Sequence, residues 1–543
     1  MPDWDADESS QPGFELPEGL RLPEISRRWA LKFGALGIGA FAAAPLLAAC
    51  GGSSSPLEKA SVKGGDLIIV DPIDALSMDK TVVFSTESIY VYDQIYECLL
   101  RMTDDGKSVM PQLAESYTMS ADSMSYTFKL RSGVKFSDGT PMTSADVKFS
   151  IDESSKTKGG WEFINTAIDK ITTPDDLTVV IKTKYPWAPL LADVSCVNNG
   201  IIPKDYGGKT AKEFYAAPVG TGPFMWDTWV KGSALKLKKN PHYWQPGKPI
   251  LDSVTWKVAA DDNSRALQLQ GGQAHINVKP PFSSITQINA SPGVKATTFP
   301  STFTDYILMN HRVKPYQDLH VRRAICYAID REALVKSILF GHGQVANSLL
   351  MPTIPYYDKN CKGIQYNMDK ARAELKLSSV PDGFTTTWLA RGGDAGDSIL
   401  AQILQASLKE LGITMNIRNV DPGAQHDLTA KMQYEITHGY FTMDLPDPDE
   451  LISVALDPTA GASAYYTGYS DPVLTNLIHQ SQRETDPTKR QVIYNKIQQM
   501  AADSAYMAFL YYTPIAYGLS DKVKGFNSLP SGYYPLQNVS LTA

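Results

Sequence analysis

Four carboxylates fall within seven residues, at Asp444, Asp447, Asp449 and Glu450. Clustered carboxylates can hold a cation, and calcium is the first to test. The known twelve-residue calcium loop needs a turn glycine and a spaced bidentate glutamate. This run has neither, and Pro446 and Pro448 stiffen it. A local role is the plainer alternative, because aspartates in turns often accept hydrogen bonds from their own backbone. Catalytic motifs are missing: the chain has no His-Glu-x-x-His, no Gly-x-Ser-x-Gly and no Gly-x-x-x-x-Gly-Lys-Ser/Thr loop. Its eight histidines are scattered, and a lone histidine is more often a satisfied structural residue than a ligand. No catalytic residue, metal or cofactor is expected. One thiol does have a chemical context. Leu47-Ala48-Ala49-Cys50 resembles a lipobox, in which the cysteine takes a diacylglycerol and becomes the new N-terminus.

The acidic loop must be held by what precedes it. Residues 435–441 read as a strand after a polar helical stretch. Upstream, residues 385–389 read as a strand, and Ile399, Ile403, Leu404, Leu408 and Leu411 then recur at helical spacing. That helix stops at Gly412, a C-cap signal, and Ile413, Met415 and Ile417 alternate as the next strand. Strands alternating with amphipathic helices predict an α/β fold with a mainly parallel sheet and helices on both faces. Ligands bind outside the carboxyl ends of such strands. The loop of residues 442–449 is therefore a site candidate. In the first half, residues 65–70 have buried-strand length, and residues 125–136 alternate around Ser132-Gly133 as a hairpin. Leu177, Val179 and Ile181 mark another strand, and Leu235 with Leu237 a further one.

A chain of 543 residues exceeds one growing core, so two or three domains are expected. At 43% hydrophobic and 20% charged residues, it is neither disordered, fibrous nor a multi-spanning membrane protein. The formal charge is −7, but the first 49 residues hold seven acids and four bases, so the remainder carries −4. No cluster of Lys and Arg is interleaved with aromatics, which excludes nucleic acid as a partner.

The N-terminus reads as an export signal. An acidic leader ends at Arg27-Arg28, and residues 33–49 are apolar apart from small residues and Pro45. The arginine pair resembles a twin-arginine signal, with Ala30 where that pattern usually has Phe. A retained membrane helix is the competing reading, but Gly34, Gly37, Gly39 and Pro45 make it a poor one. Gly51-Gly52-Ser53-Ser54-Ser55-Pro56 then reads as a flexible tether. Two acyl chains on Cys50 would hold the globular part beside a membrane. Cys98, Cys196, Cys326 and Cys361 remain. Cys98 and Cys326 lie in apolar helical patterns, so buried thiols and no essential disulfide are expected.

Several segments together resemble one family. They are Pro111-Gln112-Leu113-Ala114-Glu115-Ser116-Tyr117, Tyr126-Thr127-Phe128-Lys129-Leu130-Arg131 with Lys135-Phe136-Ser137-Asp138-Gly139-Thr140-Pro141, Val219-Gly220-Thr221-Gly222-Pro223-Phe224, Asn240-Pro241-His242-Tyr243-Trp244, and residues 318–330. In this order they are similar to the family 5 extracellular solute-binding proteins of ABC transporters, which include dipeptide, oligopeptide and nickel receptors. The resemblance implies a two-lobed, periplasmic-binding-protein-like type II fold with an extra domain inserted in the first lobe. On that pattern residues 1–49 are the signal peptide and 50–62 the lipidated cysteine and tether. Lobe I comprises 63–97, 181–305 and 508–543, the insert is 98–180, and lobe II is 306–507.

The resemblance also assigns roles. Asp444, three places after Phe441, falls where peptide-binding members pair an Asp with the ligand α-amine, and Phe441 becomes an apolar wall. Arg391 falls near an arginine that binds the ligand carboxylate in dipeptide receptors, for which its forked guanidinium is suited. Tyr306, in Tyr-x-x-x-Asn with Asn310, is read as a cleft aromatic, with Trp187 and Tyr511 as weaker versions. One departure stands out: Gly272-Gln273-Ala274-His275 replaces an acidic Gly-Glu-x-Asp segment. The implied partners are a peptide or small-molecule ligand, ABC permease subunits and a membrane reached through the lipid anchor, with the protein itself a monomer. Metal chelates, opines and oligosaccharides remain open as ligands. A surface-anchored hydrolase is the reading from another class.

Overall fold

The computed structural model describes residues 61–62, 64–158, 160–460 and 463–542. The expected export signal with Arg27 and Arg28, the expected lipidation site Cys50 and most of the expected tether lie outside these residues. Among the described residues no helix is long and apolar enough to cross a membrane.

Two large sheets organise the chain. The first has seven strands in the order Val294–Phe299, Ile515–Ser520, Ile276–Val278, Asp66–Asp71, Ser253–Val258, Ala234–Lys239 and Phe224–Val230. The second has six, in the order Gln344–Val345, Met507–Tyr512, Phe303–Met309, Ile436–Thr442, Thr385–Arg391 and Thr414–Val420. The chain passes between them at residues 300–302 and 513–514, two short crossings that lie side by side. Thr513 donates its backbone N–H to Phe303 O at 3.2 Å, and Ser301 Oγ donates to Thr513 O. The result is a two-lobed α/β protein.

Pleat alternation explains why the second sheet is covered on both faces. Ile307 and Met309 face a core with Leu334 and Leu404 from the helices Arg331–Ile338 and Ala395–Lys409. Tyr306 and Leu308 face the opposite core, with Leu451, Leu474 and Ile497 from Asp449–Leu456, Pro472–Arg483 and Pro487–Ser504. The strands are tightly apposed here: a Cβ on Gly439 would come within 2.9 Å of the Leu308 side chain. A third sheet, Ala114–Met119, Ser125–Leu130, Thr178–Thr183 and Ile168–Asp175, packs with the helix Ser144–Lys156 as an appended unit.

Several expectations change. The sheets are mixed rather than mainly parallel. Thr385–Arg391 runs parallel to both its neighbours, but Phe303–Met309 is antiparallel to both of its own, because it enters directly from the first sheet. Residues 125–136 do not form a hairpin. Ser125–Leu130 pairs instead with Ala114–Met119 and Thr178–Thr183. Val134 and Phe136 are 2% and 1% exposed, so their alternation records burial in a loop and not a ladder. Strand pairing also moves the crossings: all of Phe303–Met309 and Met507–Tyr512 belong to the second sheet, and Thr178–Thr183 to the third. Gly412 adopts φ +77° just beyond Ala395–Lys409, whose cap is Glu410.

Cys98, Cys196, Cys326 and Cys361 are buried thiols. Cys98 Sγ donates to Cys196 O at 3.0 Å, and burial pushes the Cys326 thiol up to about 11. His275 plays a structural part, since its Nδ1 accepts the Ile68 N–H at 3.0 Å, beside the central strand of the first sheet. Burial, with Lys522 nearby, lowers its pKa and favours the neutral ring that this bond requires.

Candidate functional site

The strand Ile436–Thr442 delivers the acidic loop into the junction of the two lobes. At its exit Thr302, on the first crossing, accepts the Met443 N–H at 3.0 Å and donates its hydroxyl to Met443 O at 2.8 Å. Two residues later Leu445 enters the core of the first lobe. The loop is therefore a plug from the second lobe seated in the first.

Three of its four carboxylates are engaged within the second lobe. Asp447 pairs with Arg490 through two bonds of 2.5 and 2.9 Å, both side chains buried. Asp449 accepts from Ser453 Oγ at 2.6 Å and Gln482 Nε2 at 3.0 Å. Glu450 Oε2 accepts two backbone N–H groups of the loop itself, from Asp444 and Leu445.

Asp444 is the exception, because its side chain points across the junction. Oδ1 accepts the Tyr533 hydroxyl of the first lobe at 2.9 Å. The half-buried carboxylate lines a cavity of about 60 Å3 with Asp93, Glu97, Arg101, Tyr243 and Tyr533. That volume holds roughly two water molecules. Burial pushes Asp93 up to about 7, against the opposing charge of Arg101. Glu97 is likewise pushed by burial to about 7, although Trp244, Tyr243 and Gln112 donate to it. Asp444 rises to about 6 through burial, opposed by the Tyr533 bond. Arg101 is the one cation among the lining residues and already faces Asp104 at 3.1 Å. The pocket thus has spare negative potential, suited to an ammonium or another small cationic group. A charge-assisted bond to such a group contributes about 1.5–3 kcal/mol.

The other residues singled out by sequence are dispersed. Phe441 is half-buried, with its ring edge-on to Tyr465 at 5.7 Å. Arg391 ends the neighbouring strand, 3.7 Å from Asp394 and over the ring of Tyr440 at 5.4 Å. It does not line the Asp444 cavity. Tyr306, Tyr511 and Trp187 are core side chains, 0%, 3% and 5% exposed. Trp187 donates its indole N–H to buried Asp193 at 2.7 Å. Large aromatics bury extensive area, and the core claims them first. A larger cavity of about 470 Å3 lies at the crossings, lined by Phe299, Ser301, His342, Thr513 and Asn527 among others.

Sequence reasoning missed Tyr533, Asp93 and Glu97, and placed Glu450 in the acidic cluster without its role as backbone acceptor. Asp93 and Glu97 did leave a signal: two acids four residues apart inside Tyr92-Asp93-Gln94-Ile95-Tyr96-Glu97, an otherwise mostly apolar run. Tyr533 left none, because its partner is 89 residues away. Among the described residues no group of three or more His, Cys, Asp or Glu is placed to hold a metal ion.

A plug loop seated between two lobes, with one carboxylate left to face the other lobe, is an arrangement that can hold a cationic group. Residues 108–463 match the profile of bacterial extracellular solute-binding proteins, family 5, middle. The chain belongs to that family. Family 5 members are substrate-binding proteins. The chain is 30% identical over 520 residues to the glutathione-binding protein GsiB of Escherichia coli, covering 93% of this chain and 98% of GsiB. Among solved family 5 structures it is similar to the periplasmic binding protein DppA from Helicobacter pylori in complex with the peptide STSA. The TM-score is 0.78 at 27% identity, over 88% of this chain and 98% of that one. It is also similar to AgaA of Agrobacterium in complex with agropinic acid, with TM-score 0.78 and 25% identity over 88% and 99% of the chains.

Proposed function

We propose that this protein is the extracytoplasmic substrate-capturing lipoprotein of an ABC importer, taking a peptide or similar small amine-bearing solute by closure of its two lobes. The observation that carries this reading is Asp444, the one acid of its loop directed out of the second lobe and onto the first. A solute touching both sides favours the closed form by its differential affinity for it. The crossings at residues 300–302 and 513–514 are the hinge, and the two large sheets are the lobes. Residues 114–183 form most of the inserted domain. The solute is held noncovalently and released chemically unaltered to the permease.

The relatives' ligands support an amine-bearing solute, since GsiB is named for glutathione and the DppA structure holds a peptide. Arg391 and Phe441, at the ends of adjacent strands, would contact the remainder of the ligand. The signal at Arg27-Arg28 directs export, and Cys50 carries the anchor. A thermal-shift panel of peptides, opines, sugars and metal chelates tests the class of solute, because ligands of the native state raise its melting temperature. Calorimetry with the best peptide then tests the site. Asp444→Asn should weaken binding about tenfold or more, the loss of roughly 1.5–3 kcal/mol; unchanged affinity would remove Asp444 from the site.

A further inference from the structure

His438 lies on the strand Ile436–Thr442 between two carboxylates. Its Nε2 is 3.0 Å from Asp305 Oδ1, on Phe303–Met309, and its Nδ1 is 4.0 Å from Asp397 Oδ1, on the helix Ala395–Lys409. All three side chains are nearly enclosed, at 13%, 8% and 1% exposure. Arg391 and Asp394 stand beyond Asp397, Tyr440 lies beside the imidazole at 6.4 Å between ring centroids, and Tyr511 approaches the carboxylates from Met507–Tyr512. Arg391 is the cation of this surround, but its guanidinium faces Asp394 and the Tyr440 ring.

Each carboxylate uses its second oxygen on a segment that matters for binding. Asp305 Oδ2 accepts the hydroxyl of Thr513, on the second crossing, at 2.5 Å. Thr513 in turn accepts at its carbonyl from Ser301 of the first crossing. Asp397 Oδ2 accepts the backbone N–H of Arg391 at 2.6 Å. Asp397 Oδ1 is buried without a well-formed hydrogen bond. A buried carboxylate left uncompensated is costly; the Trp388 indole lies beside it, and the imidazole is the cationic group placed to offset it when it carries its second proton.

We propose that His438 is a positioning residue. As an imidazolium bridging Asp305 and Asp397, it locks the root of both crossings to the adjacent strand ends bearing Arg391 and Tyr440, and the lock loosens as the medium turns alkaline. The proposal rests on the reading of the crossings as a hinge, but not on the identity of the solute. Burial alone would lower the His438 pKa. The Asp305 hydrogen bond and the charges of Asp305 and Asp397 outweigh both burial and Arg391 and hold it above the ordinary value. A raised histidine pKa means that the bridge is fully present below the unfolded value, about 6.5, and is lost as pH rises through the folded value.

The test needs no ligand. Imidazole proton resonances of the mature chain are followed by NMR from about pH 5.5 to 8.5, the range in which histidine changes charge. His438→Gln identifies the resonance. Amide hydrogen exchange, corrected for intrinsic pH dependence, is measured in parallel at Arg391 and Thr513. The wild type should show a His438 midpoint above the ordinary value and protection that falls across this range, about tenfold for each unit of the shift, whereas His438→Gln should show low protection with little slope. A midpoint at or below the ordinary value, or the same slope in His438→Gln as in the wild type, overturns the proposal. Should His438→Gln fold poorly, Asp397→Asn decides: it should bring the His438 midpoint down, and an unmoved midpoint overturns the bridge. Because no solute enters these measurements, their failure is distinct from failure of the solute-binding reading.

Discussion

Glu450 holds the backbone that presents Asp444. One oxygen, Oε2, accepts the N–H groups of both Asp444 and Leu445 at 2.9 Å. The two acids lie close together in a buried junction, so each favours the protonated form of the other. Burial first, and Asp444 second, raise the pKa of Glu450 well above the ordinary value. Even so, the backbone bonds keep Glu450 as the anchor and leave Asp444 to face the first lobe. Truncation by Glu450→Ala leaves two buried donors unpaired, at about 1–3 kcal/mol each. The variant should unfold at a visibly lower urea midpoint and bind solute more weakly than Glu450→Gln, which keeps an acceptor.

Arg490 and Asp447 test the scaffold beneath the loop. Their two-bond pair is buried, and removal of one partner strands a charge, at a cost of about 3–5 kcal/mol. Asp447→Asn should therefore lower stability strongly in chemical denaturation. The half-exposed pair Lys148–Asp152 is the contrast: Asp152→Asn should cost no more than about 0.5 kcal/mol.

Acid–base behaviour follows from the cavity. Asp93 and Glu97 at about 7, and Asp444 at about 6, all lie above their unfolded values. The folded state binds protons more tightly there, so the contribution of these three carboxyls to the stability of the ligand-free protein is greatest below the unfolded values, near pH 4. It falls as pH rises through 6 to 7. Melting curves across that range should show the decline, and Asp93→Asn should flatten part of it. A cationic solute opposes the same effect, so its binding should release protons, detectable by calorimetry in buffers of different ionisation enthalpy.

The anchor is tested at Cys50. The wild-type protein made in a bacterial host should partition into the detergent phase, and Cys50→Ala should remain in the aqueous phase. Detergent partitioning unchanged in the variant would refute lipidation.

Local pattern made some of this legible and hid the rest. The unit Thr385–Arg391, Ala395–Lys409 and Thr414–Val420 was readable because its strands pair with near neighbours and its helix has one apolar face. The position of Asp444 just past a strand end was readable, because the strand Ile436–Thr442 was. The antiparallel entry of Phe303–Met309 was not, since its partners Ile436–Thr442 and Met507–Tyr512 come from far along the chain. Val134 and Phe136 misled for a related reason: burial in a loop yields the same alternation as a strand face. The roles of Tyr533 and His275 arise from single long-range bonds, to Asp444 and to Ile68. No periodicity records a single bond. Tyr306, Tyr511 and Trp187 show the same limit in reverse, because an aromatic side chain suits a core as well as a cleft.

Small-angle scattering of the mature chain, with and without a peptide at a concentration that saturates its thermal shift, addresses the central claim most directly. Closure of two lobes about the crossings predicts a smaller radius of gyration in the saturated sample. The same radius in both would contradict capture by closure.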